Sequence, residues 1–503
     1  MESGQHRIHL DVSDVKAILG SGFLWAWFDA LFMSAFHLSV SSDTLLMAEG
    51  SAMAMDGLSI GLFTVLLLRE ETAVCLLQSR TAVLLLASAG TIGSFLFMCS
   101  GVVGGGAGWA LVVIGGVLGG SFAAAFQVSW GALYCRGGAG SALTCVSGAF
   151  ACAVVLDLPL LFMAPVARAC FFALFPFVSG IIWLCIPTVD RCYPTSKTVS
   201  FTQPAGLRAR LHSFLGLSGM IAGGLALAML GFGYMQHLVS FSSPASGLAW
   251  GVVVQVARGI ISTLVFVGAL FAPRAMGTVY RVGLLVMVGG FMANAIFLGT
   301  DYLWVSGVIL ICGYTVFDIM VWVVISQVAY TQSGSPAKTI ALTRMLAAAC
   351  YVLGALAGIV LAGSSDSPSP YMVQKSNVVG YLVVIAVVFL MSSEDIWALF
   401  NAYRFQRGLR ADQGVEATEV CLSRTCVLES LGLTPRELEV AELLALGRTQ
   451  PWIAETLGIS GNTVGTHTRH IYQKAGVHDR QEFIDLVLAE PGGDADMTVS
   501  NIS

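Results

Sequence analysis

Apolar runs about long enough to cross a bilayer recur between polar breaks through most of this chain. They fall at 17–40, 45–68, 81–103, 107–128, 140–165, 168–187, 212–239, 246–271, 279–298, 302–329, 340–362 and 376–392. In lipid every backbone amide needs a partner within the protein, so runs of this length read as helices. Only 11% of the 503 residues are charged against 56% hydrophobic, too few charges to solvate a soluble fold of this size. The 56 glycines agree, because small residues let helices approach closely in a membrane. The expected fold is all-α, with a polytopic bundle of about twelve spans over 17–392 and its least defined turn in the Gly-rich 81–128 region.

Loop charge orients the bundle. Residues 1–16 are polar and lack an apolar core with a cleavage site, so they read as a cytoplasmic N-terminus before a retained first span. Alternate loops then carry Arg69, Arg80, Arg136, Arg191, Lys197, Arg208, Arg210, Arg274, Arg281 and Lys338, while the opposite loops carry only Arg168 and Lys375. The positive-inside rule places the ten on the cytoplasmic side, and both termini with them. The expected location is the inner (cytoplasmic) membrane. The twelve cysteines include no CxxC pair and no Cys/His ligand spacing, so neither a metal nor a cofactor is expected.

A long loop near 188–211 divides the spans six and six. That arrangement resembles the major facilitator superfamily, whose halves are related by an axis along the membrane normal. The loop between spans two and three, REETAVCLLQSR, lacks the family's Gly- and Asp-bearing basic signature.

After a cytoplasmic helix and linker over 393–430, residues 431–490 read as a small soluble module, followed by a disordered tail over 491–503. Thr434-Pro435-Arg436-Glu437 is a capping box with proline at the first helical position. Apolar spacing and Gly447, Gly458 and Ser460 then divide the module into four helices, a helix-turn-helix plan. Leu433, Thr434, Arg436, Glu437, Glu439, Val440, Gly447, Ile453, Ala454, Leu457, Ile459, Ser460, Thr463, Val464, His467, Ile471, Tyr472, Lys474, Val477 and Arg480 resemble the LuxR-type helix-turn-helix domain. The resemblance implies double-stranded promoter DNA as partner and dimerisation through the fourth helix. It maps Gly465, Thr466 and Arg469 to the groove, with Asn462 beside them, and Thr463, His467 and Lys474 near the DNA backbone or the helix packing. Gly465 departs from the family, which usually has a base there. The module holds eight acids and five bases, yet none of the acids lies between Ser460 and His478.

Ionisable groups within spans are costly and mark function. Asp29, Asp56, Gln255, Arg258 and Asp318 are the candidates for a ligand site in the membrane cavity, with Asp157 and Glu49 nearer the outer side. Arg258 has two readings: direct binding of an anionic ligand, or an ion pair with Asp56 or Asp318. No nucleotide fingerprint, zinc-protease motif or nucleophile elbow is present, and no enzyme is expected. These features lead to a membrane-bound, one-component transcriptional regulator that senses a small molecule and binds DNA as a homodimer. The alternatives are a secondary transporter with a regulatory tail and a membrane anchor released by proteolysis.

Overall fold

A computed structural model describes residues 12–32, 42–69, 77–135, 138–187, 219–242, 247–271, 276–297, 302–331, 335–362 and 460–477, with single residues between them and over 431–483. The chain divides into two compact units, Met1–Phe405 and Gln406–Ser503. Of the proposed twelfth span at 376–392 only Gly380 and Ile385 are described, both helical, and the linker and the terminal tail lie outside the described residues.

In the first unit the helices are α1 (Val12–Phe32), α2 (Ser42–Leu68), α3 (Arg80–Val103), α4 (Gly105–Tyr134), α5 (Gly138–Leu160) and α6 (Pro165–Leu184), then α7 (Gly219–Ser242), α8 (Gly247–Phe271), α9 (Met276–Phe297), α10 (Leu303–Thr331) and α11 (Pro336–Ala362). Each coincides with one of the first eleven apolar runs. Among the described residues, eight of these helices are long and apolar enough to cross a membrane. Their outward residues are apolar as well: Leu85, Ile92 and Val102 of α3 are more than half exposed, as lipid contact requires and water would penalise.

The Gly-rich region turns at Gly104 and Gly105, whose φ values of 64° and 58° put two successive residues in the left-handed region. Without a Cβ that conformation carries no steric penalty, so α3 can reverse into α4 with almost no loop.

The first six helices and the last five meet along two main seams, α2 against α11 and α5 against α8, with α4 also against α11 and α10 against α5. Within the first six, buried tryptophans tie helices together through their indole N–H. Trp27 donates to Ser94 Oγ at 2.7 Å and Trp130 donates to Ser179 Oγ at 3.2 Å, while Ser179 donates onward to the Gly20 carbonyl at 2.7 Å. Each bond satisfies a donor that lipid would leave bare.

Glycine sets the closest approach between α7 and α11. A Cβ on Gly233 would overlap the Tyr351 carbonyl, and one on Gly354 the Leu230 carbonyl. Gly223, which GxxxG spacing nominates as a packing glycine, instead faces open space with nothing within 4 Å. Gly354→Leu is therefore expected to force these helices apart and lower the thermal midpoint of the purified protein, at a cost of about 1–3 kcal/mol or more. Gly223→Ala should leave the midpoint unchanged or raised, since helix propensity improves by up to about 1 kcal/mol. Equal destabilisation by both substitutions would contradict this packing.

Candidate functional sites

The C-terminal unit builds its reading surface from a capped helix over a small core. Val440, Ala441, Leu444, Ile453, Val464, Ile471 and Phe483 bury their side chains together, and Tyr472 packs on Phe483 with ring centroids 5.7 Å apart. Helix α12 (Gly461–Ala475) starts at Ser460, whose hydroxyl accepts from the Thr463 amide at 3.1 Å. It ends at Gly476, whose φ of 70° is the left-handed conformation expected of a C-terminal cap.

Val464, Thr468 and Ile471 are the buried face of α12. The opposite stripe is Asn462, Thr466, Arg469 and Gln473, all exposed and at helical spacing, with exposed Thr463 at its N-terminal edge. Thr466 donates its hydroxyl to the Asn462 carbonyl at 3.0 Å. His467 and Gly465 are half-buried. A Cβ on Gly465 would meet only Gln450 Oε1 at 3.9 Å, so the missing side chain is not a packing requirement. Among the described residues no acid pairs with Arg469, which makes it the one permanent cation on the stripe.

Lys474 is placed differently. Its Nζ donates to Glu437 Oε2 at 2.7 Å, and His470 Nδ1 lies 3.6 Å from Glu437 Oε1. Glu437 is only 5% exposed and also accepts from the Thr434 amide and hydroxyl, each at 2.9 Å. The capping box and α12 thus share one carboxylate. The Lys474 ammonium, with the Thr434 hydrogen bonds, pushes the Glu437 carboxyl down to about 2. A carboxyl held below its unfolded value, about 4.3 for Glu, stabilises the fold fully above that value and loses the contribution as pH falls towards 2. Residues 406–503 should accordingly lose thermal stability between pH 4.5 and 2.5, and Glu437→Gln should lower the neutral-pH midpoint while flattening that acid limb. An acid limb of unchanged steepness in the variant would refute the assignment.

The membrane unit assembles a second group of charges. Arg258 on α8 forms an ion pair with Asp29 on α1, both buried, and its guanidinium lies 5.4 Å from the centroid of the Phe150 ring on α5. The partner is Asp29, not Asp56 or Asp318. Asp157, read from sequence as nearer the outer side, interacts electrostatically with this same pair. A further arginine was not among the candidates. Arg344 on α11 donates through Nε to Gln127 Oε1 on α4 at 2.6 Å, approaches Asp318 Oδ1 at 3.8 Å and lies 5.0 Å from the Trp322 ring. Asp56 is within its electrostatic range. Arg344 lies near the start of an apolar run, where it reads as an interfacial charge. Its three neighbours come from α4 and α10, which no local pattern connects. Trp25 joins the two groups, 5.0 Å from Phe150 and 5.4 Å from Trp322 between ring centroids.

The profile of bacterial regulatory proteins of the luxR family matches residues 431–487. A protein of Aeromonas salmonicida described as an HTH-type transcriptional regulator is 45% identical over 56 residues, 11% of this chain and 29% of that relative's length. The C-terminal domain is a LuxR-type helix-turn-helix. For the membrane unit, a bacterial homologue of the iron transporter ferroportin, in an outward-facing state, aligns with a TM-score of 0.50 at 13% identity, over 75% of this chain and 98% of that one. The human organic anion transporter MFSD10 aligns at 0.47 and 15% identity, over 75% and 97%. The chain is a multi-pass membrane protein that joins a helix bundle with the fold of that ferroportin homologue to a LuxR-type helix-turn-helix domain.

Proposed function

We propose that this protein is a one-component transcriptional regulator of the inner membrane, with both termini in the cytoplasm. Its membrane domain senses a small molecule, and its LuxR-type domain binds promoter DNA as a homodimer. It acts without catalysis. The observation that carries this reading is the charged centre of the membrane domain: Arg258–Asp29 and Arg344–Gln127 each join a helix of the last five to one of the first six. A ligand that rearranges such pairs alters the fit between the halves, and it shifts the equilibrium by its difference in affinity for the two states. The alternative, a transporter with a regulatory tail, uses Asp29, Asp56 and Asp318 as coupling groups and predicts uptake into vesicles.

On the DNA side, Arg469→Ala should weaken promoter binding by about 1–3 kcal/mol, as loss of a bidentate base contact does. Gly465→Lys fills open space and adds a base, so it should tighten binding and steepen the salt dependence by about one counterion. Electrophoretic mobility shifts with the full chain over a salt series measure both. Binding indifferent to Arg469→Ala would remove α12 from the interface. Promoter affinity unmoved by any metabolite panel, with uptake detected instead, would replace the sensing reading by the transporter one.

A further inference from the structure

We propose that Asp157, Asp29 and Gln255 form a binding site for a monovalent cation beside the α5–α8 seam, with Arg258 as the fixed charge that sets its valence. The regulatory meaning of this site rests on the sensing reading above, whereas the binding itself does not.

Helix registers bring the groups to one level. Helices α1 and α5 run in the same direction, with Ile18 against Gly148 and Gly22 against Cys152, so Asp29 lies level with Pro159, two residues past Asp157. Helices α5 and α8 run oppositely, with Gly148 against Phe266 and Val154 against Gly259. Continuing that register past Val154 sets Asp157 level with Val256, between Gln255 and Arg258. Gln255 and Arg258, one turn apart, lie on the same buried stripe of α8.

The polar groups at this level are unbalanced. Asp157 and Gln255 are both 0% exposed, and among the described residues neither Asp157 oxygen nor either polar atom of the Gln255 amide has a hydrogen-bond partner. Asp29 engages Arg258 through Oδ1, while its Oδ2 is likewise buried and without a partner. The two Asp157 oxygens, Asp29 Oδ2 and Gln255 Oε1 are therefore buried acceptors at one level. With both carboxyls ionised, two carboxylates against one guanidinium leave a single negative charge, so a cation would bind in competition with the proton that burial favours there. A desolvated, oxygen-rich group with that charge suits a hard cation of charge one, and it opposes an anion. Arg258 is held by Asp29 through Nη1 and lies over Phe150; its Nε and the Gln255 amide nitrogen are buried donors without a partner among the described residues, outnumbered by the acceptors beside them. An alkali metal ion and the ammonium group of a small amine share the required chemistry.

The test uses the full chain purified in detergent, with its unfolding midpoint followed by tryptophan fluorescence. NaCl, KCl, LiCl or methylammonium chloride is titrated at constant ionic strength against N-methyl-D-glucamine chloride. At least one is expected to raise the midpoint by several degrees and to saturate, as ligand linkage requires. Saturation by an alkali ion assigns a metal, and saturation by methylammonium assigns an amine; both uphold the proposal. Asp157→Asn and, independently, Gln255→Leu should each weaken the response about tenfold or more, and either suffices if the other fails to fold. A response no greater than that to N-methyl-D-glucamine, a full response in both variants, or a stronger response to MgCl2 overturns it. So does a midpoint that follows pH alone. Promoter affinity separates the two readings. A cation bound through Asp157 that leaves DNA binding unchanged upholds the site and defeats sensing. DNA binding that answers another ligand equally in wild type and Asp157→Asn, with no cation response, does the reverse.

Discussion

A charge inside a membrane has to be answered by the protein, and the pairing of Arg258 with Asp29 is the interaction on which the membrane unit depends. Separated, each ion would sit in a low-dielectric interior with no water to solvate it. Breaking one partner of a buried pair costs about 3–5 kcal/mol, much of it from the charge left behind. Because the partners lie on α8 and α1, that penalty acts against separating the last helices from the first six. Arg344 repeats the device on the other seam by donating to Gln127. The two halves are thus held by charge as well as by shape, and a bound ligand can act on the charge term.

Much of the fold is written in local pattern, and the reasons differ by element. Eleven apolar runs became helices because length and hydropathy alone decide what a segment does in lipid. The Gly104–Gly105 reversal stayed diffuse at sequence level because any of several glycines in GVVGGGAGW could adopt a positive φ, and only packing selects two of them. The capping box at Thr434 and Glu437 is legible for the opposite reason, since its partners are three residues apart. Lys474 joins the same carboxylate across 37 positions, so its pairing with Glu437 is a tertiary fact.

The polar centre shows the same division more sharply. Cost alone nominates every buried acid and base, and Asp29, Asp56, Arg258 and Asp318 are found that way. Who pairs with whom is set by helix registers that no single segment encodes. Arg258 therefore meets Asp29, and Arg344 emerges as a participant only through α4 and α10. Glycine packing follows the same logic. GxxxG spacing marks Gly223 and Gly354 alike, yet only the backbone of the facing helix decides which of them is in contact.

Magnitudes decide whether a membrane event of this kind is large enough to control a promoter. The outward stripe of α12 carries one permanent cation, Arg469, while Lys474 is held by Glu437 and Gly465 contributes no side chain. A single module of this composition has little phosphate attraction, which is why the proposed regulator engages two modules together. Near half-occupancy, a coupling of about 1–3 kcal/mol changes affinity roughly 5- to 150-fold. Rearranging one buried ion pair spans that range. On the proposed sensing reading, a weak DNA reader joined to a charge-locked membrane bundle has its two energies matched, and a tighter reader would stay bound whatever the membrane domain did.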